Sequence, residues 1–202
     1  MTGGRRAPNP RGQGARLRVE LLTAAGRLLD AGGPDAAVTL RGVAREAAVA
    51  APSIYDHFPR VDDLLLAVVR RELDDLAGAI SRAVHRSRAL PPRGRLHAAC
   101  RAYVRWGLDH PGRYAVAVAR GPASSARPTD PRPMNPLMNL LPELLAELDP
   151  APSHPRPAAL AIWAGLHGVV GLRTADPALG WPALTRQVDA VLTGALPAYA
   201  RP

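Results

Sequence analysis

The sequence predicts an all-α protein on three observations. Apolar residues return every three or four positions along most of the chain. No alternating apolar–polar stretch is long enough to make a strand. Glycine and proline collect mainly between the periodic segments, where they end helices. Within that class the chain reads as a disordered basic arm over 1–14, a small three-helix domain with a helix-turn-helix over 15–60, and a larger helical domain over 61–202.

The arm holds Arg5, Arg6 and Arg11 among Gly, Pro, Asn and Gln, with almost nothing to bury. From Ala15, the residues Leu17, Leu21, Leu22, Ala25, Leu28 and Leu29 share one helical face, while Arg18, Glu20, Arg27 and Asp30 lie off it. Gly32-Gly33-Pro34 ends that helix. Thr39 then caps a short helix that points Leu40, Val43, Ala44 and Ala47 inward. Ala48-Val49-Ala50 is a tight turn. A second short helix runs from Ala51 to His57, with Pro52 near its first position, where a missing N–H does no harm. Phe58-Pro59 stops it. Helix, short turn, helix is the spacing of a helix-turn-helix.

Asp62 and Asp63 open a long connector that carries Leu64, Leu65, Val68, Val69, Leu73, Leu76, Ile80 and Val84. Pro91-Pro92 breaks it. Leu96, Ala99, Cys100, Tyr103, Val104 and Leu108 mark the next helix, which stops at His110-Pro111-Gly112, and a short helix with Tyr114 and Val116 follows. Residues 121–136 form a Pro-rich loop. Leu137 to Leu148 is helical despite Pro142, and two closing helices, Ala158 to Thr174 and Pro182 to Tyr199, are rich in small residues.

Composition bounds the function. A chain of 202 residues that is 47% apolar can bury a sizeable core. No run approaches the roughly 18 uninterrupted apolar residues of a membrane span, and the charged N-terminus lacks the apolar core of a secretory signal. A single cysteine, Cys100, excludes a disulfide within the chain; on an apolar face it reads as core rather than nucleophile. The expected compartment is the cytoplasm. The formal charge is +9, and all 26 cations are arginine. That bias, with 22 Pro and 18 Gly, has the look of a G+C-rich genome, yet a basic protein is drawn to polyanions whatever its codon history. No G-x-S-x-G elbow, H-E-x-x-H, cysteine pair or phosphate-cradling glycine loop occurs. No catalytic site, metal or cofactor is therefore expected.

The segment Arg18–Val69 resembles the N-terminal domain of the TetR family of transcriptional regulators. Its most telling part is VAAPSIYDHF, Val49 to Phe58, set against the family's recognition-helix form V-x-x-x-[ST]-[LI]-Y-x-[HY]-F. Farther on, AIWAGLHGVVGL, with Trp163, His167 and Gly168, is similar to the Trp-His-Gly signature of one class of TetR-type C-terminal domains. YVRWGLDHPGRYAVA, Tyr103 to Ala117, fits that class too. The chain departs from the family at three places. Ala48 and Ala50 stand where a glycine in the turn and a Ser or Thr at the helix head are usual, and Val61 replaces a common lysine, with Arg60 one position earlier.

A helix-turn-helix places its second helix in the major groove. Ser53 can hydrogen-bond a base or phosphate there, and Ala51 and Pro52 can meet a thymine methyl. Arg41 is the long forked donor near this surface, either reading a guanine, a contact worth about 1–3 kcal/mol of discrimination, or resting on phosphate or in solvent. The resemblance implies that Tyr55 and His57 are phosphate anchors, against the plainer reading that Tyr55 packs on Phe58. Thr39 caps and touches phosphate, and Arg60 takes the displaced lysine's contact. The arm, with Arg16 and Arg18, lies along DNA or merely solubilises.

In the second domain Tyr103, Trp106 and His110 share one helical face, Trp163 and His167 another, and Met134 and Met138 are deformable. These are candidates for lining a small-molecule cavity, against the reading that they are ordinary core. Arg82, Arg86, Arg88, Arg93, Arg95, Arg101 and Arg105 read as a solvated face. Small residues in the closing helices, by the resemblance, form a two-fold dimer interface. The expectation is a homodimeric regulator, a repressor by family habit, with duplex operator DNA and a small-molecule effector as partners and no membrane. The competing reading is an all-α binding protein or enzyme whose helix-turn-helix is vestigial.

Overall fold

The computed structural model describes residues 14–32, 38–120 and 135–196, with the backbone alone at 119 and 120. The basic arm up to residue 13, Gly33-Pro34, most of the Pro-rich loop with Met134, and Tyr199 lie outside the described residues. Among those described, every regular element is a helix: α1 (Gly14–Gly32), α2 (Leu40–Glu46), α3 (Ala51–Tyr55), α4 (Val61–Arg86), α5 (Pro92–Asp109), α6 (Pro111–Arg120), α7 (Pro136–Ala146), α8 (Pro155–Ala175) and α9 (Leu184–Ala195). The expected all-α architecture is what the chain adopts.

Two compact units share α4, one reaching to Glu72 and including α6, the other made of Leu73–His110 and α7 to α9. In the first, α1 buries Leu17, Leu21, Ala25 and Leu29 at four-residue spacing, with Ala24 beside them. Leu22 and Leu28 flank that stripe and are half-buried. Leu40, Val43, Ala44, Ile54, Phe58, Leu64 and Val68 complete the core.

The first unit also takes in α6. Its Arg113 donates two hydrogen bonds to Asp30 of α1, from Nε to Oδ1 at 3.0 Å and from Nη2 to Oδ2 at 2.6 Å. Its Nη1 lies 3.6 Å from Oε2 of Glu72, a carboxylate 1% exposed on α4. One planar guanidinium thus ties three helices. Gly26 makes room for it, since a β-carbon there would sit 3.3 Å from the guanidinium carbon.

In the second unit α5 packs on α7, α8 and α9, and α8 on α9. Leu96, Cys100, Tyr103, Leu137, Leu141, Leu145, Ile162, Leu166, Val188 and Leu192 fill the interior. Burial pushes the Cys100 thiol up to about 12, so it stays protonated at neutral pH. Gly165 lets α9 approach α8, because a β-carbon there would meet Val191 Cγ1 at 2.8 Å.

The corner between these helices is tied by Arg173. Its Nε donates to Gln187 Oε1 at 2.5 Å, its Nη2 to the Pro182 carbonyl, and its guanidinium lies over the Trp181 ring at 5.6 Å. The Trp181 indole donates to the Asp176 carbonyl at 2.8 Å. Helix α8 is apolar along most of its length. It reaches a mean hydropathy of 1.3 over an 18-residue window, long and apolar enough to cross a membrane by length and composition. It holds no unbroken apolar run all the same, because glycines, His167 and Arg173 interrupt it.

Candidate nucleic-acid interface

Thr39 opens the interface. Its backbone is extended, and its hydroxyl oxygen accepts from the Gly42 N–H at 3.1 Å, satisfying one of the orphan donors of α2. Arg41, in the first turn of α2, is exposed. The helix closes at Ala47, and Ala48 turns the chain with φ 55°, in the left-handed region. For a residue with a β-carbon that conformation costs about 1–2 kcal/mol. The turn forms without glycine all the same, held by bonds from Ala48 N to Arg45 O and from Val49 N to Ala44 O. Ala50 then begins α3 with no side-chain cap, and Pro52 stands in the first turn.

A helix as short as α3 does not stand by itself in water. Ile54, fully buried, and Phe58, 1% exposed, anchor it against the rest of the unit. Regular helix ends at Tyr55 rather than at His57, where the His57 amide bonds the Ile54 carbonyl only three residues back at 3.1 Å and tightens the last turn. With Ile54 turned inward, Ala51, Pro52 and Asp56 face solvent, and Tyr55 is 44% exposed. Ser53 and His57 are half-buried beside them. Arg60 is exposed, with Nη2 3.4 Å from Asp62 Oδ2. The eight residues singled out on the sequence all lie in the first unit, and none is buried.

Arg18 does not belong with the arm. Its guanidinium lies over the Phe58 ring at 4.4 Å, and its Nη1 donates to the His57 carbonyl at 3.4 Å. A planar cation gains more from an aromatic face than from open solvent, so this arginine braces the end of α3 from α1. Arg16 pairs with Glu20 at 3.1 Å. Sequence reasoning also missed Arg113 and Glu72. A buried glutamate in an otherwise apolar stripe was the one available signal, since Glu72 lies between Val69 and Leu73.

The six residues named for a small-molecule cavity separate. Tyr103 is fully buried, and its hydroxyl accepts from Trp163 Nε1 at 3.1 Å. Trp163 stacks on His167 with centroids 6.0 Å apart, and burial holds the His167 imidazole below its ordinary range. Met138 is half-buried on α7. Trp106 and His110, 5.5 Å apart, border a different space, a 640 Å³ groove between α4 and α5. Among the described residues no three His, Cys, Asp or Glu side chains converge as a metal site would need.

Comparison with known proteins adds lineage to this geometry. Residues 21–68 match the family model for bacterial regulatory proteins of the tetR family, and residues 96–196 match that for tetracyclin repressor-like C-terminal domains. A structure from Rhodococcus sp. RHA1, described as a protein with unknown function, is 26% identical with a TM-score of 0.74, covering 96% of this chain and 100% of that one. A TetR-like transcriptional regulator from the same organism is 20% identical with a TM-score of 0.65 over 96% of this chain and 100% of that one. A third, described as the molecular basis for control of antibiotic production by bacterial hormones, is 19% identical with a TM-score of 0.65 over 91% and 97%. A search of curated protein sequences found no match.

Proposed function

Because this chain belongs to the tetR family of bacterial regulatory proteins, a family of DNA-binding transcriptional regulators, we propose that it works as a homodimeric repressor, released from its operator by a small-molecule effector. The observation that carries the reading is the split character of α3. Ile54 and Phe58 fix its inner side, while Ala51, Pro52 and Tyr55 are offered outward. In this reading residues 15–60 are the DNA-binding domain and 61–202 the effector-binding and dimerisation domain. Arg41 and Ser53 reach base edges; Thr39, Tyr55, His57 and Arg60 hold phosphates and set register.

Two such heads must fall about 34–36 Å apart to meet successive major grooves, which is the work of a dimer. The family pattern places the pairing surface on the last two helices. What supports it here is that α8 and α9 leave Leu160, Leu172, Ala161, Ala164, Ala190 and Gly194 exposed. The effector acts by binding better to a conformation with a different head spacing, and can weaken DNA binding only by that difference in affinity. Tyr103, Met138, Trp163 and His167, with the Trp-His-Gly likeness, are one candidate set of contacts for it, and Trp106 and His110, on the separate α4–α5 groove, are another. The cytoplasm, where the DNA is, is the proposed compartment.

Mobility-shift titration against the promoter DNA flanking the gene tests the reading. Sequence-preferring binding with a steep salt dependence is expected. Tyr55→Ala and Arg41→Ala should each weaken it roughly tenfold, about 1.4 kcal/mol, with the dimer intact by sedimentation. Unchanged affinity in both variants overturns the site, and no preference at any salt overturns the function.

A further inference from the structure

The groove between α4 and α5 carries a charge that neither helix explains. From Leu76 to Leu108 the chain has seven arginines and no carboxylate. A G+C-rich genome accounts for arginine in place of lysine, but not for where the arginines point. Arg95 is paired with Glu147, and Arg88 turns back to the His85 carbonyl at 3.3 Å. Four others line the same groove: Arg82 and Arg86 on α4, the Arg82 guanidinium lying back beside Gly78, and Arg101 and Arg105 on α5. Each pair is four residues apart, so like charges stack one helical turn from each other and repel. Against them stands one lining carboxylate, Asp109, 3.4 Å from Arg105. Among the described residues, Arg82, Arg86 and Arg101 have no carboxylate within ion-pair distance.

Ala79, Ala83, Ala98 and Ala102 line the groove between these arginines, together with Leu90 and Trp106. The space is concave, 640 Å³, within the usual size of small-molecule sites. Guanidinium forks along such a groove match the paired oxygens of phosphate or carboxylate groups. We propose that this groove binds a small organic anion of two or more negative charges, its acidic groups on Arg82, Arg86, Arg101 and Arg105 and its apolar part on the lining alanines and Trp106. The site accounts for an arrangement that costs the empty protein stability, since a bound anion turns mutual repulsion into pairing. As the effector's chemical class it rests on the reading of the chain as an effector-controlled regulator. The binding itself does not.

The test is calorimetric titration and thermal unfolding of the full chain, without DNA, at matched ionic strength in sodium chloride. Sodium pyrophosphate is one probe and sodium citrate the other. Saturable binding and a rise in Tm beyond the chloride control are expected. The stronger response assigns phosphate or carboxylate chemistry. The double variant R86Q/R101Q, altered at exposed helix positions, should bind at least tenfold more weakly and melt no lower than the parent without anion, while R88Q, outside the lining, should bind as the parent does. Binding that survives R86Q/R101Q overturns the site, as does a response no larger than that of chloride. Loss of non-specific duplex binding in R86Q/R101Q, with both anions bound as before, makes the surface a DNA contact and overturns it too. Because DNA is absent from the titration, the site fails there alone, and the regulator reading fails only in the mobility shift.

Discussion

Tyr55 and Tyr103 are the same side chain put to opposite uses. On α3, Tyr55 stands 44% exposed at the end of a helix whose inner side is already satisfied by Ile54 and Phe58. On α5, Tyr103 is wholly enclosed and its hydroxyl receives the Trp163 indole. A buried phenol needs a partner from its own chain, because an unsatisfied polar group in the interior costs about 1–3 kcal/mol. An exposed one has water and can exchange it for something else. The difference is that the first tyrosine contributes little to folding and is free for recognition, whereas the second holds α5 to α8.

That contrast can be broken in order of size. Tyr103→Ala should cost about 3–5 kcal/mol of unfolding free energy in a denaturant titration, and a loss under about 1 kcal/mol would mean the seam collapses around the gap. Tyr103→Phe keeps the ring and should cost about 1–3 kcal/mol by stranding the indole N–H. Tyr55→Ala, the variant expected to weaken DNA binding, should change stability by no more than about 0.5 kcal/mol, and a larger fall would make Tyr55 a packing residue after all.

Ala48→Gly should raise stability by about 1 kcal/mol, read as a higher denaturant midpoint, because glycine takes φ 55° without the β-carbon penalty. The smallest effect is on pH dependence. The folded His167 imidazole lies below its ordinary value of 6.5, so the unfolded chain takes up its proton first as pH falls. Stability from this group is complete above 6.5 and declines below it, until the folded imidazole also protonates. His167→Gln should flatten the fall in denaturant midpoint between pH 7 and 5.5, and an unchanged slope would remove His167 from the account.

The helix-turn-helix was legible in the sequence because its signals are local. Thr39 bonds three residues on, Pro52 sits in the first turn of α3, and the apolar spacing of Ile54 and Phe58 sets which way that helix faces. The turn's cost was legible as well, since an alanine stands where glycine would be at ease. What could not be read is what joins distant stretches. Arg113 finds Asp30 across 83 positions, and nothing near either residue announces the other. The arginine run is an intermediate case. Its spacing by fours and its lack of carboxylates were visible, but a solvated face and an arginine-lined groove share that pattern until the turn at Pro91 sets α5 beside α4. Aromatic spacing was the weakest guide to a cavity, because it does not separate the Tyr103–Trp163 seam from the wall formed by Trp106.

The corner at Arg173 has a bearing on assembly. With Gln187, Pro182 and Trp181 all fastened to one guanidinium, the α8–α9 hairpin is held by contacts within its own chain, whether or not the proposed second copy is present. Little freedom is left for it to surrender on contact. Joining of two copies along this hairpin would then resemble the docking of finished parts, with a rate that tracks protein concentration and no slow rearrangement behind it.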